Sequence, residues 1–253
     1  MPIARSHPNA SDEVSEAFVI AYNQMTFTLN GVRWLFFDLG YTLINEDGAA
    51  MGRLAQVSDA LRQRGIEASP EDLRAALEAA SARFDPNPFR SLLLPFTDDE
   101  DVIAFVRSSG RYPKELESPY PQTLPLLKRL HGEYKLGVIA NQPPGTQERL
   151  TQYGMAHYFD VCVSSGDVSV SKPDAAIFHL ALEQTGCTPN ESVMIGDRLD
   201  NDIRPAKALG FRTVRVLQGP GRLQQPRDDA ETPDATVADL DELAALFLNT
   251  PLN

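Results

Sequence analysis

Cysteine is nearly missing from this chain. Cys162 and Cys187 are its only two, too few for a disulfide framework, and neither belongs to a Cys-x-x-Cys pair. Basic residues are outnumbered: 23 Lys and Arg stand against 35 Asp and Glu, a formal net charge of −12. Nucleic acid is therefore not an expected partner, because neutralising phosphates needs clustered cations, and neither is an anionic membrane surface. Long apolar runs are also missing. The longest candidates, such as 17–22 and 92–94, fall far short of the ~20 residues that span a bilayer. No basic stretch followed by an apolar one opens the sequence, so no signal peptide is expected. These absences point to a soluble protein of the reducing cytoplasm. They say nothing of oligomeric state.

What is present is an ordinary globular composition, 42% apolar and 23% charged over 253 residues, enough for one large domain or a domain carrying an insertion. Residues 1–30 are rich in Pro, Asn, Ser and acid and read as a mobile extension with a short helix over 13–24; Met25 is a conceivable native start. From Val32 the pattern becomes apolar run, turn, helix, repeated. Runs at 34–37, 136–140, 161–163, 193–195 and 213–217 are nearly continuous in apolar residues, as parallel strands covered on both faces are. Helical spacing falls between them at 124–130, 146–153, 175–185 and 203–209, with Gly186 and Gly210 where C-caps belong. The alternation predicts a doubly wound, mostly parallel, Rossmann-like α/β sheet.

One interval breaks it. Residues 45–118, 74 in number, show helical patterning and no convincing strand, with an N-cap at Ser69 and Pro70 at the first helical position in Ser69-Pro70-Glu71-Asp72, and a capping box expected between Thr97 and Glu100. The expected organisation is thus an extension (1–30), a core made of 31–44 and 119–253, and a helical insertion (45–118). Residues 219–233 read as a loop, and a final helix runs over 238–248 with Asp239 and Glu242 capping it.

In a doubly wound sheet, ligands sit beyond the carboxyl ends of the strands. The first apolar run leads straight into Asp38. A carboxylate there is a candidate nucleophile or metal ligand, although alone it is equally a turn residue. The run ending at Ile195 opens into Gly196-Asp197-Arg198-Leu199-Asp200-Asn201-Asp202, which suits a hard cation such as Mg²⁺, or else a solvated helix cap. Lys172, in Ser171-Lys172-Pro173-Asp174, stands where a helix begins and the local field is already positive. Its placement makes sense beside an anion or paired carboxylates, with Pro173 at the first helical position. The turn Asn141 to Thr146 offers backbone N–H groups to an anion.

Together these pieces resemble a known family. FFDLGYTL, GVIAN, SKP and GDRLDND, with spacings of 102, 32 and 25 residues between Asp38, Ala140, Lys172 and Asp197, are similar to the four motifs of the haloacid dehalogenase (HAD) superfamily. The helical insertion matches the cap that members carry after the first motif. The resemblance implies a Mg²⁺-dependent phosphatase that acts on a small phosphate ester through an aspartyl-phosphate intermediate. Asp38 would be the nucleophile, and Asp38, Asp197 and the Gly40 carbonyl the Mg²⁺ ligands, with Asp202 supporting them. Lys172 would offset charge on the phosphoryl group, with Asn141 as a further phosphate contact.

Two positions depart from the family pattern. The usual second aspartate, which protonates the leaving group, is Gly40 here, and the usual Ser or Thr of the second motif is Ala140. The departures keep two other readings in view: a catalytically weak binding module, and a metal-free dehalogenase, which the retained acidic pair disfavours. In the insertion, Arg53, Arg83, Arg90 and Arg107 are candidate anion contacts, each of them otherwise a solvated helix residue.

Overall fold

The computed structural model describes residues 27–248 and Leu252, so the helix expected over 13–24 lies outside the described residues. Among the described residues eight strands occur in chain order: β1 (Trp34–Phe37), β2 (Ile44–Asn45), β3 (Ser118–Pro119), β4 (Lys135–Ala140), β5 (Val161–Ser164), β6 (Ser192–Gly196), β7 (Arg212–Val216) and β8 (Ala235–Val237). Six of them make one sheet in the order β5-β4-β1-β6-β7-β8, every neighbouring pair parallel. The chain steps from β1 outward through β4 and β5, then returns to β6 on the other side, so the order reverses at β1. That is where a doubly wound sheet opens its crevice.

The five expected strands are present, the first with its expected ends and the other four with ends shifted by one residue. β8 was not expected, because three residues carry no readable period. The apolar runs are continuous because both faces are covered. Leu35 and Phe37 pack with Leu126, Val138, Ile195, Val214 and Leu243 on one face, and Trp34 and Phe36 with Ile177, Phe178, Met194 and Phe211 on the other. In β4, Gly137 is needed for space: a Cβ there would meet the Phe36 ring at 2.6 Å and Val161 at 2.8 Å.

Between β2 and β3 the chain builds helices Asp47–Arg62, Pro70–Ala82, Pro88–Ser91 and Glu100–Ser108 around a core of their own that includes Leu54, Leu61, Leu73, Leu93, Ile103 and Val106. The Ser69 N-cap forms as its sequence indicates, with Pro70 opening the helix and Asp72 completing a capping box. The Thr97 box does not. Asp99 is the N-cap, accepting from the backbone of Asp101 and Val102, while Thr97 accepts from the Asp99 N–H instead; the carboxylate lies two residues closer to the helix. β2 and β3 pair antiparallel, Ile44 with Pro119 and Asn45 with Ser118. This two-residue ribbon, invisible to periodicity, joins the helical segment to the sheet.

A further expectation is corrected. Pro173 is not the first residue of a helix; Asp174 caps a helix that begins at Ala175, and the Lys172–Pro173 bond is cis. The helix expected over 203–209 is present as Arg204–Ala208, and a π turn at Leu199–Ile203 leads into it. No described helix is long and apolar enough to cross a membrane.

The Phe36–Gly137 contact makes the packing testable. Phe36→Ala should cost about 3–5 kcal/mol in urea unfolding, and Gly137→Ala about 1–3 kcal/mol by overpacking. Because the two share one space, the double variant should lose clearly less than the sum.

Candidate active site

The register of the sheet dictates what meets at its carboxyl edge. Phe37 is level with both Val138 and Ile195, so Asp38, one residue on, lies beside the end of β6, and its N–H donates to the Ile195 carbonyl at 2.9 Å. Asp197 follows directly on β6. The π turn then carries Asp202 back toward the strand ends, where one oxygen accepts from the Arg198 N–H at 3.0 Å. Carboxylate oxygens of Asp38, Asp197 and Asp202 all lie within 4.8 Å of one another.

Lys172 enters this acidic cluster from the opposite side. Its ammonium donates to Asp38 Oδ1 and to Asp202 Oδ1, both at 2.6 Å, and all four side chains are buried. Its backbone is gripped by Asn141, whose Oδ1 accepts from the Lys172 N–H and whose Nδ2 donates to the Lys172 carbonyl, each at 2.8 Å. Both ends of its amide hold Lys172, which makes Asn141 a positioning residue as well as one that lines the cleft. The anion cradle expected in the same turn is partly occupied as well, since the Gln142 N–H donates to Ser165 Oγ and the Gly145 N–H to Asp167.

The electrostatics follow from the count. Three buried carboxylates face one ammonium. Burial pulls the Lys172 pKa down, but Asp202 and Asp38 outweigh it and hold the ammonium above its ordinary value. Burial, then Asp202 and Asp38, push the Asp197 carboxyl well above the usual range. Asp202 is raised too, by burial against the opposing pull of Lys172. A cluster of hard oxygens whose mutual repulsion one lysine does not cancel suits a divalent cation. Asp38, Asp197 and Asp202 are the side chains that would hold it.

Residues that carry no sequence signal complete the site. Arg215, buried on β7, donates to the carbonyls of Gly221 at 2.7 Å and Gln224 at 2.8 Å and reaches the Asp197 carbonyl at 3.4 Å; burial lowers its pKa to about 10. Gln224 in turn accepts from the Leu199 N–H at 2.9 Å. The expected loop over 219–233 is therefore ordered, with a 3₁₀ turn at Pro220–Leu223 braced against Asp197. Arg222 extends from it to Glu78 of the helical segment at 2.9 Å.

A cleft of about 280 Å³ opens over Asp38, Lys172, Asp197 and Asp202, walled by Leu77, Ser81 and Pro88 of the helical segment. Arg53, Arg83, Arg90 and Arg107 do not line it. Arg53 and Arg107 border a separate cavity with Phe89 and Tyr112, and Arg90 pairs with Glu100. The cleft instead receives Glu46, just ahead of the first helix of the segment, where sequence reads it as one more acidic helix-start residue. Burial first, then Glu117 and Asp38, raise its carboxyl to about 7 against Arg149 and Lys114.

The Asn141 clasp generates a test. Asn141→Ala should leave the fold intact and lower turnover about 10- to 100-fold, the usual cost of removing a group that orients another. Turnover assays alongside thermal melts check both halves.

Comparison with known proteins agrees with this geometry. The sequence pattern of haloacid dehalogenase-like hydrolases matches residues 32–210. A glyceraldehyde 3-phosphate phosphatase of Methanopyrus kandleri is 31% identical over 217 residues, covering 80% of this chain and 91% of that one. A phosphoserine phosphatase of Thermus thermophilus is 34% identical over 175 residues, 66% of this chain and 67% of its own. Among solved structures, a HAD phosphatase from Thermococcus onnurineus superposes with a TM-score of 0.59 at 26% identity, covering 87% of this chain and 100% of that one. Sheet order, strand-end chemistry and sequence pattern converge, and the chain belongs to the haloacid dehalogenase-like hydrolases.

Proposed function

We propose that this hydrolase is a Mg²⁺-dependent phosphatase acting on a small phosphorylated metabolite, with the helical segment 45–118 serving as a cap over the cleft. The observation that carries the reading is Lys172 Nζ at 2.6 Å from both Asp38 and Asp202, with Asp197 beside them. Phosphoryl transfer needs an aligned nucleophile and neutralisation of charge on the phosphoryl oxygens more than it needs elaborate covalent chemistry. Asp38 is aligned by its own strand and by Lys172. One of its oxygens attacks phosphorus, the alcohol departs, and water then cleaves the acyl phosphate on Asp38. Lys172 lies close enough to Asp38 to accompany the charge through both steps. A bound divalent cation would neutralise phosphoryl oxygens and fix their orientation; Asp38, Asp197 and Asp202 would be its side-chain ligands, and the carbonyl of Gly40, a residue that also borders the cleft, would be a further donor.

The cleft's dimensions support a small ester. Its volume of about 280 Å³ lies at the lower end of ligand-site sizes, and the relatives named above take glyceraldehyde 3-phosphate and phosphoserine as substrates. A three-carbon phosphate monoester is therefore the proposed substrate class. Leu77, Ser81 and Pro88 would meet its carbon end, a wall that selects by size and hydroxyl contact rather than by charge.

Phosphate release from a panel of three-carbon phosphate esters tests the reading. Wild-type protein should turn over with Mg²⁺, stop in EDTA and recover when Mg²⁺ is returned. Asp38→Asn should lower turnover at least about 10⁴-fold, as loss of a covalent nucleophile does, with an unchanged melting curve. Full activity in EDTA, or wild-type turnover by Asp38→Asn, would overturn it.

A further inference from the structure

We propose that Glu46 is the general acid and base of the reaction, its carboxylate standing in the space that a side chain at position 40 would fill. The role rests on the phosphatase reading above, which leaves the leaving-group oxygen without a proton donor because residue 40 is glycine.

The geometry is specific. A Cβ built on Gly40 would lie 2.6 Å from Glu46 Oε1, 3.0 Å from Cδ and 3.2 Å from Oε2, so the whole carboxyl group occupies the volume beyond the Gly40 Cα. Gly40 and Glu46 border the same cleft as Asp38 and Lys172. Of the four carboxylates described along it, Glu46 is the one outside the Lys172 cluster. Glu46 is the N-cap of helix Asp47–Arg62, yet its side chain makes no capping hydrogen bond; Asn45 Oδ1 accepts from the Asp47 N–H at 2.9 Å in its place. Freed from the cap, the carboxylate borders the cleft together with Asp38 and Lys172. The β2–β3 ribbon holds the preceding residue, Asn45, against Ser118, which anchors Glu46 at the junction of sheet and helical segment. Glycine at 40 is then the residue that leaves this carboxylate room.

The chemistry balances over two half-reactions. In the first, an Asp38 oxygen bonds to phosphorus, the bond from phosphorus to the ester oxygen breaks with its electron pair on that oxygen, and the Glu46 carboxyl proton passes to it. Neutral alcohol leaves, with an acyl phosphate on Asp38 and a carboxylate on Glu46. In the second, Glu46 takes a proton from water as the water oxygen bonds to phosphorus and the bond from phosphorus to Asp38 breaks. Inorganic phosphate, the Asp38 carboxylate and protonated Glu46 result.

The test compares leaving groups in the full-length, Mg²⁺-loaded protein. Glu46→Gln should lower kcat for glycerol phosphate about 10²–10⁴-fold, because an alkoxide does not leave unassisted. With p-nitrophenyl phosphate, whose phenolate needs no proton, the same variant should give a burst of one phenolate per enzyme followed by slow turnover, since hydrolysis of the acyl phosphate has lost its base. A merely structural role would lower both substrates alike and give no burst. Gly40→Asp/Glu46→Ala, which returns a carboxylate to the same space from the other residue, should recover alkyl turnover to within about tenfold of wild type, general acid catalysis being set by position and acidity. If Glu46→Gln does not fold, Gly40→Ala takes its place, its Cβ pushing the carboxylate aside with the same alkyl-specific loss. Wild-type alkyl turnover by a folded Glu46→Gln or Gly40→Ala variant, equal losses without a burst, or a swap that recovers nothing would overturn the role of Glu46 while the phosphatase reading stands. A wild-type protein that hydrolyses no phosphate ester removes that reading itself, and the role with it.

Discussion

Holding Asp38, Asp197 and Asp202 within 4.8 Å of one another, all buried, is an unfavourable arrangement of like charges, and much of the surrounding structure answers it. A buried charge is tolerated only when paired and fully hydrogen-bonded. Lys172 supplies the pairing by bridging two of the three, and Asn141 fixes Lys172 from behind through its backbone. Arg215 and Gln224 tie the 219–224 turn to the backbone of Asp197 and Leu199. The remaining excess of negative charge is what makes the site attractive to a divalent cation, so the local instability of the bare cluster and its binding capacity have one electrostatic origin.

That cluster depends in turn on the sheet. Parallel pairing of β1 with β6 in register brings the first residue beyond each strand to the same edge, and apolar cover on both faces makes the register expensive to slip, since a one-residue shift would exchange the Leu35/Phe37 and Trp34/Phe36 faces. The helical segment is joined to this rigid platform at a point between Gly40 and the β2–β3 ribbon, and touches it again where Arg222 meets Glu78. Glu46 sits at the first of these contacts. Its position therefore depends on the path by which the segment leaves the sheet.

Several features were legible in the chain itself. Continuous apolar runs of three to five residues revealed five of the six strands of the main sheet, because strands covered on both faces have no polar side to show. The chemistry-bearing positions 38, 172 and 197 stood out because each follows an apolar run or precedes a helix. Ser69-Pro70-Glu71-Asp72 announced its helix through local hydrogen bonding alone. Where local signals competed, reading failed. Asp99 displaced Thr97 as a cap, and Pro173 proved to be a cis residue ahead of the helix rather than its first turn. β2, β3 and β8 are too short to carry any period.

The sequence by itself determined the doubly wound α/β class, the helical insertion after the first strand and the residue types waiting at the strand ends, because patterning and capping are properties of neighbouring residues. Only the tertiary structure decided which of those residues meet. Lys172 reaches Asp38 across 134 positions of chain, Asn141 holds the Lys172 backbone from the rim of the cleft, the four candidate arginines of the insertion do not line the cleft, and the space beside Gly40 is filled by Glu46, six residues on. Such contacts are set by strand order, register and the path of the backbone between elements, and no window of sequence short enough to show a motif contains them.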